Sequence, residues 1–65
     1  MNRKLMRLEE ISEATGVGVP TLRWWRHRDR GEGPPTFKLG RRVVAYEDDV
    51  ARWVDAQARA GQNGR

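Results

Sequence analysis

The residues best suited to engaging a ligand lie together in Thr21-Leu22-Arg23-Trp24-Trp25-Arg26-His27-Arg28. A guanidinium is a planar fork of donors that can make two hydrogen bonds to guanine O6 and N7, a contact worth roughly 1–3 kcal/mol of discrimination between bases. The same group neutralises a phosphate without regard to sequence. Arg23 is the first candidate for the base-reading role, set against the plainer readings of phosphate contact or simple solvation. Arg26 and Arg28, with Arg30 just beyond, read as phosphate neutralisers, although cations at a helix end also suit its dipole. Trp24 can lie along a sugar–phosphate strand or pack against another part of the fold, and the residues alone leave both open. Trp25 reads as core. His27 has no serine, cysteine or carboxylate constellation around it, so it suits phosphate or solvent better than catalysis.

A second basic set follows in Lys38-Leu39-Gly40-Arg41-Arg42. Arginines at a glycine-started turn can enter a narrow minor groove, whereas the plainer reading is a charged hairpin tip that resists edge-to-edge pairing. Residues 18–42 hold seven basic and two acidic side chains, while residues 43–57 hold four acidic and one basic. Positive charge is thus concentrated where one face could carry it. Over the whole chain, 13 Lys and Arg stand against 9 Asp and Glu, for a net charge of +4. The sequence pI is about 10.7, in the range that marks a nucleic-acid-binding domain.

Other chemistries find little support. With no cysteine and one histidine among 65 residues, neither disulfides nor a zinc site is expected. Glu47-Asp48-Asp49 could suggest a metal site, but consecutive carboxylates at a helix start point apart and suit the positive end of a helix dipole. No enzyme activity, cofactor or small-molecule ligand is expected. The chain lacks an apolar run of membrane-spanning length and a signal-peptide core, so the expected location is cytoplasmic and DNA-associated.

The elements that position these groups can be read from spacing. Leu8, Ile11 and Ala14 or Thr15 predict an amphipathic helix with Glu9, Glu10 and Glu13 outward, starting at Arg7 without the usual side-chain cap and closing at Gly16. Val17 plugs the turn, Gly18 caps and Pro20 opens a second helix running from Val19 to about Arg28, with Leu22 and Trp25 on its buried side. Gly31-Glu32-Gly33-Pro34-Pro35 is a loop. Thr36–Leu39 and Val43–Tyr46 then predict a hairpin, with Phe37 and Leu39 able to share a buried face. In its second strand either Val43 with Ala45 or Val44 with Tyr46 could point inward, and the second pair is preferred. A third helix, capped by Asp48, lays Val50, Trp53, Val54 and Gln57 on the core. Met1–Met6 reads as a basic lead-in with Arg3 and Lys4 in solvent and a frayed start. Residues 58–65 read as a flexible tail after one domain of residues 1–57.

These motifs, taken together, look like the small excisionase and AlpA-type winged-helix domains, relatives of the DNA-binding domain of MerR-type regulators. The match runs through Leu8-Glu9-Glu10-Ile11, Thr15-Gly16-Val17, Thr21-Leu22-Arg23-Trp24-Trp25, Gly33-Pro34-Pro35, Lys38-Leu39-Gly40-Arg41-Arg42-Val43 and Asp49-Val50-Ala51-Arg52-Trp53-Val54. It spans about residues 5–57. The resemblance implies a mostly α winged helix-turn-helix with a two-stranded wing and a C-terminal helix. It further implies that helix two enters the major groove and the wing tracks the flanking groove of double-stranded DNA. Thr21, Arg23 and Trp24 fall where MerR-type proteins carry Thr-Ile-Arg-Tyr-Tyr, Trp25 at the buried aromatic, and Arg41 and Arg42 at the wing tip. Arg7 stands in place of the family's usual Ser or Thr, Gly18 in place of a Ser cap, and Val19-Pro20 in place of a commonly basic or polar pair.

By the same resemblance, the protein would bind adjacent sites in a phage or mobile-element attachment region, bend the DNA and direct a tyrosine or serine integrase toward excision. Side-by-side self-association on DNA is expected with it. The alternatives are a small AlpA-like transcription regulator, which shares the same DNA chemistry, and a protein-interaction module whose basic face meets an acidic partner.

Overall fold

The computed structural model describes residues 3–63, with side chains to Gly61. The elements run β1 (Leu5–Arg7), α1 (Leu8–Thr15), α2 (Val19–Arg28), β2 (Phe37–Leu39), β3 (Arg42–Tyr46) and α3 (Glu47–Asn63). This is a winged helix-turn-helix with a three-stranded antiparallel sheet in the order β1-β3-β2.

The first two helices follow from their local residues. Leu8 and Ile11 are buried on α1, and the next stripe position is Thr15 rather than the exposed Ala14. The Thr15 hydroxyl donates to the Ile11 carbonyl at 2.7 Å and accepts the Val17 N–H at 3.2 Å, fastening the helix end to the turn. Gly16 takes the left-handed conformation, φ 79°, that closes the helix. Arg7 supplies no side-chain cap, but the Glu10 carboxylate accepts the Arg7 N–H at 2.8 Å, which is the reciprocal half of a capping box. Gly18 then precedes α2, whose first turn holds Pro20.

The sheet corrects the sequence reading in two ways. First, the lead-in holds a strand: Leu5 pairs with Tyr46, Met6 with Ala45 and Arg7 with Val44, so β3 is the central strand and the hairpin is not free-standing. Arg3 is exposed as expected, but it also donates to the Asp48 carboxylate at 2.9–3.2 Å and lies over the Tyr46 ring at 3.7 Å. The expected fraying at Met1 and Asn2 lies outside the described residues.

Second, the inward face of β3 is the opposite of the one preferred. Ala45 is fully buried and forms the core with Leu8, Ile11, Leu22 and Val50, joined by half-buried Met6, Val17, Val19, Trp25 and Val43. A small residue lets the helices approach the sheet closely at that point. Val44 is buried too, at 4% exposure, but from the other face, between its strand partners Arg7 and Phe37. Phe37 and Tyr46 meet on that outer face with ring centroids 5.3 Å apart. Leu39, expected to share a buried face with Phe37, is exposed.

α3 starts at Glu47, ahead of the expected cap at Asp48, so Asp48 lies inside the first turn, where its carboxylate accepts the N–H of the next residue, Asp49, at 3.0 Å. Val50 is buried and Trp53 half-buried, whereas Val54 and Gln57 are exposed, so only the first half of the helix meets the core. The helix continues past Gln57 to Asn63, through residues expected to form a tail. Ala58 and Ala60 are strong helix formers, and Arg59 pairs with Asp55 one turn earlier at 2.6 Å. Residues 64 and 65 of that expected tail lie outside the described residues. Among the described residues no helix is long and apolar enough to cross a membrane.

Candidate nucleic-acid interface

α2 is held from one side and left open on the other. Leu22 is buried and Trp25 half-buried beneath the helix, where Trp25 meets Trp53 of α3 edge-on at 5.9 Å. The loop closes over the same indole: a Cβ added at Gly33, whose φ is +74°, would stand 2.6 Å from Trp25 Cε3. These contacts fix the roll of α2 about its axis. A helix rolled this way turns positions 23, 24 and 27 outward and leaves positions 21 and 26 on its flanks.

Arg23, Trp24 and His27 are accordingly exposed, as is Thr21. Trp24 is 54% exposed and so is not a core residue. It lies instead within a surface stack, its ring centroid 6.5 Å from His27 at an interplanar angle of 28°, with the Arg28 guanidinium 5.4 Å from the indole centroid. Arg28 is half-buried and also pairs with Glu32 at 3.5 Å. Arg26, likewise half-buried, directs a guanidinium nitrogen at the Thr36 carbonyl and hydroxyl, each at 3.4 Å. Two of the expected phosphate neutralisers therefore also have partners within the fold, whereas Arg23 forms no ion pair among the described residues.

The wing supplies the second basic group. Gly40, at φ +65°, makes the turn between β2 and β3, and Arg41 and Arg42 project exposed beside it. Lys38 is exposed on β2 opposite Val43. Pairing in an antiparallel sheet places Lys38 and Val43 on one face, the face that Ala45 turns toward the helices. The wing tip and α2 come together around two adjoining open hollows. Arg7, Glu9, Arg23, Arg41 and Arg42 line one of about 260 Å³. Arg23, Arg26, His27 and Val43 line the other. The structure thus gathers Arg23, Arg26, His27, Arg41 and Arg42 along one front. It adds Arg7, which the sequence marks only as a poor cap. The signal for Arg7 in the sequence is a basic residue at a position the resembled family fills with Ser or Thr.

Glu9 lines the first hollow itself and Glu32 pairs with Arg28, whereas the acidic cluster at the start of α3 is turned to other partners. Asp48 and Asp49 are engaged by Arg3 and Arg52 at the start of α3. The hydrogen bonds from Arg3, aided by the nearby charges of Arg3 and Arg52, hold the Asp48 carboxyl below its ordinary value, against a smaller opposing effect of desolvation. Among the described residues no group of three or more His, Asp or Glu side chains is arranged to hold a metal ion.

An exposed helix with arginine and indole side chains, flanked by a basic hairpin, is the form in which a fold presents itself to duplex DNA. Residues 5–58 match the helix-turn-helix domain family, which includes AlpA- and excisionase-like proteins. The chain belongs to that family and is a small DNA-binding helix-turn-helix protein. No curated protein and no solved structure matches it.

Proposed function

We propose that the protein binds double-stranded DNA in a sequence-specific manner through a two-part grip, with α2 in the major groove and the β2–β3 wing on the flanking groove. The observation that carries this reading is the shared front of Arg23 on α2 and Arg41 and Arg42 on the wing. Arg23 is the base reader, and Trp24, flanked by His27, lies along the sugar–phosphate strand beside it. Thr21, Arg26, Arg28 and Lys38 support it through phosphate contacts. Arg26 and Arg28 are also anchored by Thr36 and Glu32, which limits the freedom they lose on binding.

The finer reading is an excisionase: the protein assembles side by side on attachment-site DNA, bends it and directs a tyrosine or serine integrase toward excision. Membership in a family that includes excisionase-like proteins supports it, as does the resemblance of the motifs. The same membership supports an AlpA-like transcription regulator, since both roles use one DNA chemistry.

Two experiments test the reading. Arg23→Ala should lose discrimination between the preferred site and other sequences, while equal losses on all sequences would make Arg23 a phosphate contact only. An integrase-dependent excision assay should show more excision with the protein than without it. Unchanged excision, with a promoter responding instead, would favour the regulator.

A further inference from the structure

The described arginines differ in what they touch, Arg26 donating to Thr36 and Arg30 standing exposed without an ion pair among the described residues. Arg3, Arg28, Arg52 and Arg59 each pair with a carboxylate. Arg7, Arg23, Arg41 and Arg42 form no ion pair and no side-chain hydrogen bond among the described residues, yet all four line the single hollow between the start of α1, α2 and the wing tip. Like charges brought together repel, and the carboxylate lining the hollow, that of Glu9, offsets only one of four. A cluster of guanidiniums without internal partners is matched by an external anion, and planar donor forks suit phosphate oxygens in particular.

We propose that this hollow seats one backbone phosphate of duplex DNA, held by Arg7 from the start of α1 and by Arg41 and Arg42 from the wing. The inference rests on the two-part grip and deepens it, because the seat lies between the two parts. Arg23 lines both adjoining hollows and remains the base reader, with its charge adding to the attraction for the seated phosphate. Arg7 then has a DNA role where a Ser or Thr would have capped α1, and Glu10 supplies half of the missing cap. Glu9 acts against phosphate binding.

The test uses the full chain and mixed-sequence duplex DNA over a series of salt concentrations, since a phosphate contact needs no particular sequence. Removing one contact lowers the slope of log affinity against log salt by about 0.9. Arg7→Ala should bind severalfold more weakly at low salt with a slope shallower by at most that amount, since Arg41 and Arg42 still face the phosphate, and Arg7→Lys should recover part of the loss. Glu9→Gln should bind more tightly than the wild type. An Arg7→Ala protein that melts with the wild type and keeps its affinity and slope overturns the proposal. Glu9→Gln, an exposed change outside the core, overturns it independently if affinity does not rise. A wild type whose affinity is indifferent to salt would instead overturn the two-part grip itself.

Discussion

Trp25 of α2 and Trp53 of α3 meet edge-on with ring centroids 5.9 Å apart, and through this contact the last helix braces the orientation of the exposed side chains of α2. Edge-to-face aromatic pairs contribute roughly 0.5–1.5 kcal/mol beyond the area they bury. Trp53→Ala removes this contact and the packing around it. Because Trp53 is half-buried, the expected loss is about 2–3 kcal/mol, below the ~3–5 kcal/mol of a fully buried tryptophan. Urea denaturation measures it, and a loss within about 0.5 kcal/mol would mean α3 does not brace α2.

Gly33 is the other support of Trp25. Its positive φ, and the 2.6 Å that would separate an added methyl from the indole, both oppose any side chain. Gly33→Ala should cost about 2–4 kcal/mol, from backbone strain plus displacement of the ring. Gly31→Ala, at φ +76° with open space around it, should cost only the strain, about 1–2 kcal/mol. Equal losses by thermal or chemical denaturation would contradict the steric role given to Gly33.

Trp24 separates binding from stability. With more than half of its surface exposed, Trp24→Ala should leave folding stability within about 0.5 kcal/mol. Affinity for duplex DNA should fall by about tenfold, equivalent to ~1.4 kcal/mol. Parallel denaturation and DNA titrations check the pair of outcomes, and a large stability loss with intact binding would reverse the assignment.

Much of this site is legible in the sequence because it depends on local rules. Gly16, Gly18 and Pro20 mark where α1 ends and α2 begins, and the spacing of Leu22 and Trp25 fixes which side of α2 is buried, hence that Arg23 and Trp24 face out. The failures are non-local. Nothing within Leu5-Met6-Arg7 announces a strand; it becomes one by pairing with β3, and only that pairing brings Arg3 to Asp48 and Tyr46. On β3 the larger residues suggest Val44 and Tyr46 as inward, but the helices need the small Ala45 where they approach the sheet. β1 and β2 then flank Val44 on the other face. The continuation of α3 beyond Gln57 escapes a reading by apolar spacing, because helical propensity and the Asp55–Arg59 pair sustain it without a core-facing stripe.

The Arg3–Asp48 pair gives a pH dependence with a definite sign. Hydrogen bonds from Arg3 favour the charged carboxylate in the folded state and hold Asp48 below its ordinary 3.8. Stability from this group is therefore present above that ordinary value and is lost as pH falls through the lowered one. Asp48→Asn should be less stable than the wild type at neutral pH, with the gap closing in acid. Denaturation midpoints across the acid range measure it, and a gap that stays constant there would remove Asp48 as its source.

The two-part grip is tested most directly by following backbone amide resonances of the protein as duplex DNA is added. The shifts should concentrate on Thr21 to Arg28 of α2 and on Lys38, Arg41 and Arg42 of the wing, with Asp55, Ala56 and Gln57 of α3 unmoved. Shifts centred on α3, or on α2 with the wing unmoved, would contradict it.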